Sequence, residues 1–222
     1  MTWTVPNILT VLRLLAAPGL AVMFLYFARP LADWFALVLF LGAAITDFID
    51  GYLARAWQQE SRLGAMLDPI ADKAMVVIAL LVIVSQSGLS PWLILPATII
   101  LFREIFVSGL REFLGSQAGL LKVTRLAKWK TTAQMVAIAV LFSTGIFEHH
   151  FVARVQGLEG PVIDAILAGE IADLGGVRLR YNAMMASQVL GIGLLMVAAL
   201  LTLVTGWDYF RKALPLLKED RA

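Results

Sequence analysis

Four aspartates, two glycines and Arg55 are gathered in the stretch DFIDGYLARAWQQESRLGAMLDPIAD, residues 47–72. Their spacing is D-x-x-D-G-x-x-A-R, eight further residues, then G-x-x-x-D-x-x-x-D. On a helix turning about 100° per residue, Asp47, Asp50 and Ala54 share a face with Gly51 beside it. Gly64, Asp68 and Asp72 form a second stripe at four-residue steps. Two antiparallel helices would bring the four carboxylates to one point, where they repel each other and are costly to desolvate unless a cation joins them. Oxygen ligands with no His or Cys nearby select a hard divalent ion, Mg²⁺ or Mn²⁺, singly or as a pair. Such ions commonly bring a substrate's phosphates with them. One aspartate at a helix end would be a cap; four at this spacing exceed what capping requires.

A second charged constellation follows in REIFVSGLREF, residues 103–113, and KVTRLAKWKTTAQ, residues 122–134. Arg103 and Glu104 lie in apolar surroundings, where an ionisable residue is usually paired or functional. Taken singly, Arg103, Arg111, Lys128 and Lys130 read as topology signals for anionic lipid. Taken together they describe a phosphate site, in which Arg binds bidentately and Lys acts as a point charge.

The elements that must hold these groups are membrane helices. Of 222 residues 60% are hydrophobic, and the mean hydropathy is +0.83. That excludes an ordinary soluble domain and indicates an all-α, polytopic membrane protein. With no cysteine in the chain, disulfides and thiolate metal sites are excluded. The first apolar run is long and lacks a small-residue cleavage site, so no cleavable signal peptide is expected. Windows of about 20 apolar residues give six transmembrane helices. They fall near 8–28, 33–54, 69–87, 91–112, 131–147 and 184–206. Pro30, Ser87-Gly88 with Pro91, and the Gly-rich stretch after Phe147 supply the breaks. No internal repeat and no separate soluble part is visible, so residues 1–222 read as one membrane domain, with 148–183 as an extracytoplasmic loop. His149 and His150, the only histidines, fall in that loop. Being adjacent they cannot face one site, and they read as surface residues. Pro69, directly after Asp68, predicts that the third span begins or kinks there, leaving Asp68 and Asp72 in its first turns at the membrane surface.

Charge fixes the orientation. With six spans and the N-terminus inside, every one of the 18 Lys and Arg residues except Arg29, Arg154, Arg178 and Arg180 falls on the inner side. The positive-inside rule then predicts cytoplasmic termini and a polar active site on the cytoplasmic side. The first span opens with Asn7, Thr10 and Arg13 at three-residue steps, a polar stripe on an apolar helix. Its first residues are expected to form an N-terminal interfacial segment before the chain enters the bilayer.

The full pattern of Asp47, Asp50, Gly51, Ala54, Arg55, Gly64, Asp68 and Asp72 resembles the signature of the CDP-alcohol phosphatidyltransferase family. Asn7, Thr10 and Arg13 resemble an N-x-x-T-x-x-R element of its bacterial members. Arg103-Glu-Ile, Ser108, Leu110-Arg111-Glu112, Lys128-x-Lys130-Thr131, Gln134 and LDPIADK at 67–73 are similar to the branch that uses glycerol 3-phosphate. Ala127 departs from that branch, which has glycine there. The likeness covers roughly residues 5–145.

The resemblance implies transfer of a phosphatidyl group from CDP-diacylglycerol to an alcohol, with release of CMP. It implies metal at Asp47, Asp50, Asp68 and Asp72, and Asp72 as the base for the acceptor hydroxyl. It lays CDP-diacylglycerol against Asn7, Thr10, Gly51, Ala54, Arg55, Ser61 and Gly64, where the small residues leave room for a nucleotide. The acceptor it implies is glycerol 3-phosphate, its phosphate at Arg103, Arg111, Lys128 or Lys130. A homodimer in a bacterial inner membrane is expected, with no nucleic-acid partner. Inositol phosphate or phosphatidylglycerol as acceptor remains an alternative; the basic cluster argues against serine, and D-G-x-x-A-R against a prenyl transferase. A cation transporter would place polar residues near mid-membrane or in two repeated halves, and neither pattern is present.

Overall fold

The computed structural model describes residues 4–56, 61–121 and 125–217, without the side chains of 48, 50–56, 116, 118, 120, 125 and 127. The described residues are helical with short connections: α1 (Val5–Tyr26), α2 (Leu31–Ala56), α3 (Arg62–Gln86), α4 (Pro91–Leu114), a 3-10 turn (Gly115–Leu120), α5 (Arg125–Val155), α6 (Gly160–Ala168) and α7 (Val177–Leu217). Among the described residues four helices are long and apolar enough to cross a membrane: Val5–Tyr26, Pro91–Leu114, Lys128–Val155 and Val177–Leu217. Helices α2 and α3, of 26 and 25 residues, occupy the other two expected span positions and carry the aspartates.

The chain packs as two compact units, Met1–Ile83 with Ile138–Gly191, and Val84–Ala137 with Ile192–Ala222. In the first, α1 and α2 form an antiparallel hairpin. The buried positions of α1 are Pro6, Asn7, Thr10, Arg13, Ala17 and Leu20, a single stripe at three- and four-residue steps. The polar residues are therefore the first half of the packing face, and Ala17 and Leu20 continue it into an apolar core. That core holds Ala36, Phe40, Ala71 and Leu80, all fully buried. Phe142 of α5 meets Phe40 edge-on at 6.0 Å and stacks with Phe24 at 6.2 Å. Interleaved alanines let the helix backbones approach while the aromatics fill the space between them.

At the α1–α2 turn, Arg29 donates two hydrogen bonds of 2.8 Å to the carboxylate of Asp33, and a third of 3.3 Å to Glu148 of α5. Gly145, nearly one turn before Glu148, gives the pair its space: a Cβ there would lie 1.9 Å from Arg29 Nη2 and 2.1 Å from Asp33 Oδ1.

In the second unit, α4 and α7 meet through Phe106 and Phe210 at 5.6 Å, with Trp207 beside Phe210 at 5.9 Å. Ile100, Leu195, Ala198 and Ala213 are buried there.

One expected alternative is corrected: the third helix does not begin at Pro69 but at Arg62, and Pro69 lies inside it. Ser61 is the reason: its hydroxyl accepts a hydrogen bond of 3.0 Å from the Gly64 amide, an N-terminal cap that starts the helix ahead of the proline. Asp68 and Asp72 thus sit beyond its first turn. Segment 148–183 contains regular structure. Helix α5 continues to Val155, Gly157 takes a left-handed φ of 88° just after it, α6 follows, and α7 begins at Val177. The Asp173 carboxylate accepts from the Val177 and Arg178 amides at 2.8 and 3.0 Å and sets that start. Arg154 and Arg180 bind the Gly175 carbonyl at 2.9 and 2.8 Å, and Arg178 binds that of Ile166 at 2.9 Å. Helix α1 is continuous from Val5, with Pro6 in its first turn.

Candidate active site

The α1 stripe points at the aspartates. Asn7, Thr10 and Arg13 are 3%, 2% and 3% exposed, and each meets the carboxylate region by a different contact. The Thr10 hydroxyl donates to Asp68 Oδ1 at 2.7 Å. Arg13 Nη1 donates to Asp72 Oδ1 at 2.6 Å and also to Asp47 Oδ1. One guanidinium nitrogen is therefore shared by a carboxylate of α2 and a carboxylate of α3. The Ser61 hydroxyl donates to Asn7 Oδ1 at 2.7 Å. A Cβ on Gly64 would lie 3.0 Å from that same oxygen, so the absent side chain of Gly64 makes room for Asn7. Three candidates for nucleotide contact, Asn7, Ser61 and Gly64, are in this structure partners of one another.

Burial divides the cluster in two. The Arg13 side chain is 2% exposed, whereas those of Asp47 and Asp72 are 49% and 52% exposed. The cation is sealed in the helix packing and the anions face outward, open to whatever approaches. The donor chemistry of Asp47, Asp68 and Asp72, carboxylate oxygens only, fits a hard divalent ion. Among the described residues no three such groups stand close enough to hold a metal as they are. Asp50, Gly51, Ala54 and Arg55 belong to the last turns of α2, and their side chains lie outside the described structure.

The second unit holds the other constellation. Lys130 Nζ donates to Glu104 Oε1 at 2.5 Å, and Arg103 Nη1 reaches the same oxygen at 3.2 Å. The Lys130, Arg103 and Glu104 side chains are only 8%, 15% and 14% exposed. Two cations thus share one anion in a poorly hydrated place. Arg111 lies over the Tyr209 ring, 5.7 Å from its centre, and Lys128 is exposed. Three buried atoms here have no hydrogen-bond partner among the described residues: Arg103 Nε, Gln134 Oε1 and the Tyr209 hydroxyl. Gly206 lets α7 approach Arg103, since a Cβ on it would lie 2.9 Å from Arg103 Cγ. Sequence reasoning missed Tyr209 and Gly206; both lie in the last helix, beyond the motif-bearing part of the chain.

A sequence model of the CDP-alcohol phosphatidyltransferase family matches residues 3–207. The chain belongs to that family. Among its relatives is a protein of Cereibacter sphaeroides named CDP-diacylglycerol–glycerol-3-phosphate 3-phosphatidyltransferase, 64% identical over the full length of both chains. A Haemophilus influenzae protein of the same name is 34% identical over 96% of this chain and 95% of its own. An Escherichia coli protein of that name is 42% identical over 64% of this chain and 78% of its own.

Proposed function

We propose that the chain transfers the phosphatidyl group of CDP-diacylglycerol to glycerol 3-phosphate, giving phosphatidylglycerophosphate and CMP. The observation that carries this reading is the full-length likeness, at 64% identity, to a relative named for that reaction. The site agrees with it in chemistry. Asp47, Asp68 and Asp72 offer outward-facing oxygens to a divalent ion, with Asp50 as the fourth ligand. Mg²⁺ or Mn²⁺ bound there supplies charge neutralisation for the pyrophosphate of the donor. The acceptor hydroxyl attacks the phosphorus that bears the diacylglycerol. Its proton goes to Asp72, and the bond to the CMP oxygen breaks. Gly51, Ala54 and Arg55 are assigned to the nucleotide and its phosphates, beside Asn7, Thr10, Ser61 and Gly64. Arg103, Arg111, Lys128 and Lys130 are assigned to the acceptor phosphate, and the unpartnered polar atoms beside them support a polar ligand in that unit.

The finer topology belongs to the same proposal: six spans made by α1–α5 and α7, both termini and the aspartates on the cytoplasmic side of a bacterial inner membrane, and a homodimer. The charge asymmetry supports the orientation.

The test uses purified protein in detergent with CDP-diacylglycerol, Mg²⁺ and a panel of acceptors, following CMP release. Release with glycerol 3-phosphate alone is expected. Release with inositol phosphate or phosphatidylglycerol instead would keep the chemistry and replace the acceptor. No release from folded protein with any acceptor would overturn the reading.

A further inference from the structure

We infer that Arg13 is the resident counter-cation of the aspartate cluster, holding Asp47 and Asp72 together in the metal-free protein and giving up at least one of them when a divalent ion binds. The inference rests on the metal-dependent reading of the cluster, and goes beyond it by assigning a competitor to the metal.

The geometry carries the argument. A single nitrogen, Arg13 Nη1, is the hydrogen-bond donor to both Asp47 and Asp72. These carboxylates come from different helices, α2 and α3, and two adjacent anions repel each other unless a cation is shared between them. The guanidinium is 2% exposed, in the buried stripe of α1 between Thr10 and Ala17, so it cannot swing into water when a competitor arrives. Asp68 is held one turn away by Thr10 of the same stripe. The α1 face therefore imposes an arrangement that satisfies the carboxylates in pairs with protein donors. A divalent ion that takes Asp47 and Asp72 must offset the loss of a partner to the buried guanidinium, and its affinity is lowered accordingly. Arg13 is thus a positioning residue: it keeps the carboxylates in register between turnovers and tunes how tightly the ion is held.

The test needs no substrate. Mn²⁺ is titrated into metal-stripped wild type and Arg13→Gln in detergent, with the free ion followed by electron paramagnetic resonance. Tm is recorded in EDTA and in Mn²⁺. Arg13→Gln should bind Mn²⁺ about tenfold more tightly, because the competing cation is gone. Its Tm should fall well below wild type in EDTA, and the gap should close in Mn²⁺. A merely structural role would lower Tm equally in both conditions. Equal or weaker Mn²⁺ binding by the variant, while wild type binds the ion, would overturn the inference and leave the metal reading standing. Absence of binding to both proteins would overturn both. Should Arg13→Gln fold only when purified with Mn²⁺, that dependence is itself the expected result. Should it fold under neither condition, Arg13→Lys, which keeps the charge but not the fork of donors, takes its place. A Tm gap that closes in Mn²⁺ is again required, and one unchanged by Mn²⁺ overturns the inference.

Discussion

Each end of the α1–α2 hairpin has an arginine bound to carboxylates, and the two ends are built for opposite purposes. At the turn, Arg29 grips Asp33 with two nitrogens, Asp33 is 3% exposed, and Glu148 adds a third contact. Gly145 brings the backbone of α5 hard against the pair. This end is closed over its acid, and all three guanidinium nitrogens of Arg29 make a contact. At the other end the burial is reversed, with Arg13 sealed and its aspartate partners half exposed. There one nitrogen serves two carboxylates, and Asp68 accepts from a neutral hydroxyl. The two ends thus differ in which partner is buried. Outward-facing carboxylates over a sealed cation suit a cationic ligand at the second end.

The comparison is broken most severely by Asp72→Asn. Removing the proposed base should reduce CMP release by about three orders of magnitude while Tm changes little. Turnover near wild type would remove Asp72 from that role. At the closed end, Asp33→Ala should leave Arg29 without its main partner and destabilise the protein by about 2–3 kcal/mol, less than a fully sealed pair because Arg29 reaches water. Release of CMP per folded molecule should be unchanged; a selective loss of turnover would mean the two ends are not separate in function. Gly145→Ala drives a methyl into the same pair, and its steric cost, partly offset by better helix propensity, should be about 1–2 kcal/mol in denaturant unfolding. Lys128→Ala sharpens the picture of the second unit: the KM for glycerol 3-phosphate should rise about fivefold, as befits an exposed charge, with that for CDP-diacylglycerol unmoved. An unchanged acceptor KM would assign Lys128 to topology or lipid.

Much of the candidate site was legible in the sequence because the chemistry proposed for it is written in residue type. Aspartates at fixed helical steps carry their meaning without a tertiary context, and the stripe of Asn7, Thr10 and Arg13 was visible as polar residues on an apolar helix. What the stripe touches was not legible. Its members bind Ser61, Asp68, Asp47 and Asp72, contacts between residues 34 to 59 positions apart that helical periodicity does not encode. The start of α3 was not legible because Pro69 offers a helix start of its own, whereas the helix begins at the Ser61 cap, about two turns ahead of it. The closed end escaped notice for a related reason. Arg29, Asp33, Gly145 and Glu148 are unremarkable singly, and only packing unites them. In the segment after Phe147, glycines do supply the breaks, but only after α5 has run on to Val155: Gly157, Gly169 and Gly176 take left-handed φ values of 88°, 88° and 65° after α5, after α6 and before α7.

The central claim is that the open carboxylate end is a metal-dependent phosphatidyl-transfer centre. It is tested most directly by following CMP release from CDP-diacylglycerol and glycerol 3-phosphate in EDTA, then after adding back Mg²⁺ or Mn²⁺. The account predicts no release in EDTA, restoration by either ion in wild type and in Asp33→Asn, and no restoration in Asp72→Asn. Undiminished release from metal-stripped protein in EDTA would contradict it.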